Sequence, residues 1–224
     1  MKYSTEGIDL AKAEIATVLA GELKSGKRLL WLVSGGSCVA VQVDVMKRLR
    51  EAAPDKLSLL TILPVDERFG RHGHENSNSA QMQKAGFKPE KAKWLDVLNK
   101  NQPMAETVSY YAQLAEDAMA EADVVVATLG MGADAHTAGL LPESPALTDT
   151  VSTVVGYSWS DFARMTLGVP MLLKINHAWV LAYGETKKES LKRLQRNAES
   201  VEHLPAKILY DLASVTVYND YIQT

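Results

Sequence analysis

The sequence predicts an α/β fold, a single doubly wound, mostly parallel sheet with helices on both faces. Three observations predict it. Short apolar runs alternate along the chain with longer segments of helical periodicity, the pattern of right-handed βαβ crossovers. The clearest run, "DVVVATLG" at 123–130, is β-branched and apolar on both faces, as a strand covered from two sides must be. Polar, glycine-rich stretches follow directly after such runs, at "SGGS", "DERFGRHGHENSN", "GMGADAH" and "GETKK". Open α/β sheets bind ligands outside the carboxyl ends of their strands, so these four stretches are expected to gather on one edge of the sheet.

Each element has its own signal. Leu10, Ala13, Ile15, Val18 and Leu19 mark an amphipathic opening helix, ended by "SGK" at 25–27. "RLLWLVS" (28–34) is a short buried strand, "GGS" (35–37) a turn, and "CVAVQVDVMKRLREAA" (38–53) a helix stopped by Pro54. "KLSLLTILPVD" (56–66) holds the next strand, with Pro64 near its end, where a missing N–H is best tolerated. "ERFGRHGHENSN" (67–78) is a polar loop, and a helix after Pro103 runs through "MAETVSYYAQLAEDAMAEA" (104–122). Beyond the strand at 123–130, further strands are expected at "VSTVVGY" (151–157), "RMTLGV" (164–169) and "HAWVLAYG" (177–184). "ETKKESLKRLQR" (185–196) and "PAKILYDLA" (205–213) read as helices, and "SVTVYND" (214–220) as a last short strand. No repeat, low-complexity tract or linker divides the chain, so residues 1–224 are expected to form one domain.

Composition narrows the function. With 46% hydrophobic and 23% charged residues over 224 positions, the chain can fill a large core, which argues against disorder. A net charge of -3 offers no field for nucleic acid or an anionic membrane, so an anionic ligand needs a local cluster of donors. The lone cysteine, Cys38, cannot form an internal disulfide, which fits a reducing compartment. No apolar run approaches the ~18 residues of a membrane span, and the opening segment has no signal-peptide core. A cytoplasmic protein without nucleic-acid or membrane partners is expected, as a monomer or small homo-oligomer.

The polar stretches carry candidate chemistry. Gly35, Gly36 and Ser37 lie between a strand and a helix, where glycine backbone and free N–H groups can cradle a phosphate. The same residues read equally well as a tight turn with Ser37 as the helix N-cap. The pattern is neither a Walker A nor a GxGxxG motif, so nucleotide binding is unsupported. Arg68 can fork onto a phosphate or carboxylate, and Asp66 can serve as a base or as an acceptor for a sugar hydroxyl; a surface Asp–Arg pair is the competing account. His72 and His74 lack a third ligand in order, so solvated loop histidines are expected and no metal site. Asp134 can accept from one imidazole nitrogen of His136 and leave the other free to take a proton from water. In isolation, a D-x-H is more often a helix start capped by its aspartate. Lys187 and Lys188 oppose the dipole of a following helix, which is easier to understand beside a bound anion. Arg164 similarly opens an apolar stretch. No G-x-S-x-G elbow and no H-E-x-x-H occurs.

In combination and in this order, the clusters resemble the 6-phosphogluconolactonase family, within the wider superfamily that includes glucosamine-6-phosphate isomerase/deaminase. The GGS turn is Gly35-Gly36-Ser37, the D-E-R…H-x-x-S-N pattern is Asp66-Glu67-Arg68…His74…Ser77-Asn78, and the G-M-G-x-D-G-H-T-A signature is Gly130 to Ala138. The R-x-T-L and G-x-x-K-x-x-x-L elements are Arg164 to Leu167 and Gly184 to Leu191. The resemblance covers most of the chain and implies a Rossmann-like sheet that binds a phosphorylated sugar lactone, without a cofactor. It implies His136 as general base with Asp134 beside it. It further implies Arg68, Lys187 and the GGS backbone as holders of phosphate or developing negative charge, with Arg164 as an addition. The chain departs from the pattern at Ala135 (usually glycine), at Cys38-Val39 (often Thr-Pro) and at Phe69-Gly70 (more usually Val-Pro). Two other readings stand beside the lactonase. A deaminase would carry a glutamate where this chain has Leu141, and D-E-Y in place of Asp66-Glu67-Arg68. A non-catalytic sugar-phosphate sensor is the third.

Overall fold

The computed structural model describes residues 1–224. In chain order the first elements are β1 (Lys2–Ser4), α1 (Ile8–Lys24), β2 (Leu29–Val33), α2 (Val39–Ala52), β3 (Leu60–Pro64) and β4 (Asp66–Arg68). Then come α3 (Asn78–Lys84), β5 (Lys93–Trp94), α4 (Met104–Glu121), β6 (Val124–Gly130) and α5 (Pro145–Thr148). The last are β7 (Val154–Ser158), β8 (Ala163–Leu167), α6 (Val169–Leu172), β9 (His177–Ala182), α7 (Lys188–Arg196) and β10 (Val215–Asn219).

Seven strands form the main sheet in the order β1-β10-β9-β6-β2-β3-β5, and every pairing in it is parallel. The expected α/β class is the one observed. All five residues of β2 are buried, and their alternation divides the core. Leu29, Trp31 and Val33 join Ile15, Leu19, Val41 and Val45 of α1 and α2 on one face. Leu30 and Leu32 join Tyr111 and Ala115 of α4, and Leu191 and Leu194 of α7, on the other. A strand covered from both sides must be apolar throughout, which is why it reads so plainly in sequence. Pro64 pairs with Val33 on β2, whereas β5 reaches only Thr61 and Ile62. Its missing donor therefore leaves no gap in the ladder, and the Tyr111 hydroxyl donates to its carbonyl.

Two expected strands lie outside this sheet. "VSTVVGY" and "RMTLGV" contain β7 and β8, which pair antiparallel with each other, and β8 pairs antiparallel with β4. The short link at 159–162 accounts for the antiparallel pairing of β7 with β8, since a parallel partner needs a crossover of about a dozen residues. "PAKILYDLA" is a 3₁₀ segment, Pro205–Asp211, and not an α-helix. Ser37 does not cap α2; it lies in a 3₁₀ turn, Gly36–Cys38, and α2 has no side-chain cap. Strands β1 and β5 and helix α3 are too short, at three, two and seven residues, to carry a periodic signal in the sequence.

Candidate functional site

A cleft of about 240 Å³ opens at the carboxyl ends of the central strands. Its walls come from the segments after β2, β3, β6 and β9, with Arg164 contributed by β8. The four polar stretches do converge.

The segment after β6 builds one wall. Asp134 Oδ1 accepts from His136 Nδ1 at 2.6 Å and from the His136 backbone N–H at 3.1 Å. These two hydrogen bonds hold the imidazole in one orientation and leave Nε2 without a protein partner. Its hydrogen bond to His136 holds the Asp134 carboxyl down at about 2. Both side chains are about half-exposed, at 45% for His136 and 50% for Asp134. No helix begins here: the Gly132 N–H donates to His136 O and the Ala135 N–H to Gly132 O, closing a tight turn. A Cβ on Gly132 would lie 2.1 Å from His136 Nδ1 and 2.3 Å from Asp134 Oδ1, so the pair requires glycine there. Ala135 is fully buried with φ +66°, the left-handed region in which a Cβ crowds the following carbonyl.

The opposite wall comes from β4, whose side chains alternate between two tasks. Asp66 and Arg68 line the cleft. Glu67 points away and is fully buried. It accepts from the backbone N–H groups of Arg68 (2.7 Å), Asn78 (2.6 Å) and Ser79 (3.0 Å) and from Ser77 Oγ (3.1 Å). Glu67 thus binds the free donors at the start of α3, where Ser77 Oγ also accepts from the Ala80 N–H. Burial pushes the Glu67 carboxyl up, and the Ser79 and Asn78 amides oppose the rise. Asp66 makes no ion pair with Arg68, so the two are not a surface pair. Burial raises its carboxyl against the pull of Arg68 and His136, and Asn78 Nδ2 donates to its carbonyl at 2.9 Å.

Arg68 and Arg164 are direct cross-strand partners and flank the Phe162 ring at 5.7 and 5.6 Å. Arg164 is tied to Asp161 at 2.6 Å. Arg68 donates to Asn76 O at 3.3 Å and has no carboxylate partner. Lys187, at the end of a 3₁₀ turn before α7, also lines the cleft, while Lys188 pairs with Glu185 at 3.4 Å. The GGS turn closes the floor. Gly35 fits there because a Cβ would sit 1.9 Å from Asn78 Oδ1. Cys38 lies buried beneath it, where burial pushes the thiol up to about 12 and keeps it unreactive.

Gly35, Gly36, Ser37, Asp66, Arg68, His136, Arg164 and Lys187 therefore share one cleft, and Asp134 stands behind His136. His72 and His74 turn elsewhere: His72 pairs with Asp96 at 2.7 Å, and His74 Nε2 meets Arg68 O at 3.0 Å. Two contributors were not singled out from the sequence. Gln42, fully buried on α2, holds the Ser34 backbone by two bonds, at 2.9 and 2.6 Å; its only signal is an amide among apolar helix residues. Gly132 looked like one loop glycine among several.

Comparisons with known proteins bear on the family and the fold. The family model described as glucosamine-6-phosphate isomerases/6-phosphogluconolactonase matches residues 4–218. A 6-phosphogluconolactonase of Pseudomonas aeruginosa is 31% identical over 137 residues, 60% of this chain and 55% of that protein, so the match spans about half of the relative. A human 6-phosphogluconolactonase is 26% identical over 217 residues, covering 92% of this chain and 84% of that one. The crystal structure of a 6-phosphogluconolactonase from Shewanella baltica has a TM-score of 0.79 at 22% identity, over 97% of this chain and 96% of its own. A monomeric glucosamine-6-phosphate deaminase also reaches 0.79, at 20% identity, over 99% and 98%. At those identities the two structures share the fold with this chain and say nothing of its substrate. The family match takes in the whole cleft, from Ser34 to Lys187, and on that ground the chain belongs to the glucosamine-6-phosphate isomerase/6-phosphogluconolactonase family.

Proposed function

We propose that the chain hydrolyses 6-phospho-D-glucono-1,5-lactone to 6-phosphogluconate, the lactonase step of the pentose phosphate route. Residues 1–224 would act as one sugar-phosphate-binding domain in the cytoplasm. One observation carries the reading: the Asp134–His136 bond of 2.6 Å stands on a cleft that also holds two cations without carboxylate partners, Arg68 and Lys187.

A δ-lactone is an activated ester that already reacts slowly with water, so a positioned water, a base and donors for the oxyanion suffice. His136 Nε2 takes a proton from water as the water oxygen bonds to the lactone carbonyl carbon. Arg68, Lys187, Arg164 and the backbone of Gly35, Gly36 and Ser37 hold the phosphate and the developing oxyanion. The carbon–ring oxygen bond then breaks, and the ring oxygen takes its proton back from the imidazolium. Asp134 stays ionised and orients the ring. Asp66, facing the same cleft, accepts a sugar hydroxyl. The remote phosphate fixes the orientation of the carbonyl through its binding energy.

Leu141 favours the lactonase over a deaminase. It lines the cleft as an apolar, buried side chain, where ring opening by the related deaminases would use an acid. The test is hydrolysis of freshly made lactone above its spontaneous rate, beside His136→Ala. General-base help is typically worth about 10²–10⁴-fold, and the variant is expected to lose that much. Absence of acceleration by the folded protein overturns the lactonase reading, and ammonia release from glucosamine 6-phosphate would put the deaminase in its place.

A further inference from the structure

The Asp134–His136 turn is not held by its own residues alone. Ala135, between them, keeps φ +66°, a conformation that alanine leaves readily and glycine does not. Its carbonyl accepts from the Ala206 N–H at 3.0 Å, so the turn is fastened to residues 199–206. Nearby, the Glu143 N–H donates to Glu202 O at 2.8 Å, joining the same two segments a second time.

That segment is in turn tied to α7 through one side chain. Arg193 Nε donates to Glu199 Oε1 at 2.8 Å, and a terminal guanidinium nitrogen donates to Glu199 Oε2 at 2.6 Å and to His203 O at 2.8 Å. Lys207 Nζ adds a bond to Glu199 O at 2.7 Å. The fork fixes both ends of the 199–203 stretch, as a planar guanidinium can and an ammonium cannot. The bond to Glu199 raises the affinity of Arg193 for its proton, and the charge of Asp134 acts in the same direction.

From this chain of contacts we infer that Arg193 is a positioning residue for the hydrolytic site: through residues 199–206 it holds Ala135 left-handed and so aims His136. Arg193 touches neither the cleft nor the reacting atoms; it acts through the Ala206–Ala135 bond. The role rests on the lactonase reading for its kinetic consequence, but not for its structural one. It also accounts for how this chain keeps an alanine where a glycine would hold the turn unaided.

A double-mutant cycle on Arg193→Ala and Ala135→Gly tests it, read as kcat and KM for the lactone beside hydrogen exchange at the Ala206 amide. Misplacing a catalytic group by about 1 Å can cost roughly 10²-fold, so Arg193→Ala is expected to lower kcat about ten- to hundredfold. KM and the affinity for inorganic phosphate are expected to stay within about twofold, since the anion-holding wall is untouched. Exchange at Ala206 should quicken. Adding Ala135→Gly should restore kcat by about threefold or more, because glycine keeps a positive φ without the clamp. Equal losses in the two backgrounds, or a loss carried by KM, would overturn the inference. If Arg193→Ala does not fold, Glu199→Gln keeps one acceptor oxygen and is read in the same cycle. A wild-type protein without lactonase turnover sinks the functional reading alone; Ala206 exchange that is insensitive to Arg193 sinks the clamp.

Discussion

At Gly132 a single missing Cβ decides whether the Asp134–His136 pair can exist. An alanine there would bring its methyl to 2.1 Å of His136 Nδ1 and 2.3 Å of Asp134 Oδ1, far inside van der Waals contact. Gly132 does not have a positive φ, so Gly132→Ala should strain the site without straining the backbone. The expected outcome is a loss of kcat close to that of His136→Ala, about 10²-fold or more, with the thermal midpoint lowered by only a few degrees. Normal turnover in this variant would show that the pair is dispensable. Ala135 presents the opposite balance. Its left-handed backbone costs about 1–2 kcal/mol, while burying its methyl returns about 0.8 kcal/mol. The remainder is small enough for a few neighbouring hydrogen bonds to offset, which is why alanine persists at a position that glycine suits. The motif Asp134-x-His136 was legible because its spacing reads directly as chemistry. The need for Gly132 was not, since only the three-dimensional turn brings its Cα beneath both side chains.

Strand β4 shows how one short element serves both architecture and site. With period two, Asp66 and Arg68 face the cleft while Glu67 turns inward. Glu67 then collects two backbone donors and one hydroxyl at the start of α3, and the Arg68 N–H beside it. Replacing it with glutamine puts an NH2 group, which cannot accept, in place of one carboxylate oxygen, so one or two of those buried donors lose their partner. Each buried unsatisfied group costs about 1–3 kcal/mol, and each kcal/mol shifts the midpoint of a chain this size by about 2–4 °C. Glu67→Gln is therefore expected to lower Tm by about 5 °C or more and, by loosening 67–78, to weaken phosphate binding through Arg68. A calorimetric scan with unchanged Tm would refute the capping role. Among the elements, those with long apolar periodicity read correctly from sequence, including α1, β2, α2, α4 and β6. Strand β1 is three residues long and pairs with β10 at the far end of the chain, so nothing local announces it. The start of α3 is organised by Glu67, some ten residues upstream, across what reads locally as a plain polar loop. The hairpin of β7 and β8 stands apart from the main sheet, which strand propensity cannot tell because it says nothing about partners; the shortness of its link speaks only for the antiparallel pairing.

For the molecule as a whole, the net charge of -3 hides a local concentration of opposite sign. The parallel sheet brings Arg68, Arg164 and Lys187, separated widely in sequence, to one cleft. Asp161 accompanies Arg164, yet no carboxylate lies within ion-pair distance of Arg68 or Lys187, and Arg68 stands directly opposite Arg164 across the β4–β8 pair. Like charges held opposite one another destabilise a sheet. Folding therefore assembles a repulsion that unfolding relieves, and an anion bound in the cleft would cancel it. A ligand that binds only the folded state stabilises by RT ln(1 + [L]/Kd), about 2.7 kcal/mol at a hundredfold excess over Kd. For a chain of this size that is a rise of about 5–10 °C in Tm. Inorganic phosphate is expected to produce such a rise, while sodium chloride at the same ionic strength is expected to produce little, because screening of partly buried charges is weak. Arg68→Gln should remove most of the phosphate effect and leave the phosphate-free Tm unchanged or slightly higher, the repulsion with Arg164 being gone. An equal rise with chloride would mean that the cations only need screening. A phosphate response surviving in Arg68→Gln would move the anion away from the β4 wall, and with it the orientation in which the lactone carbonyl meets His136.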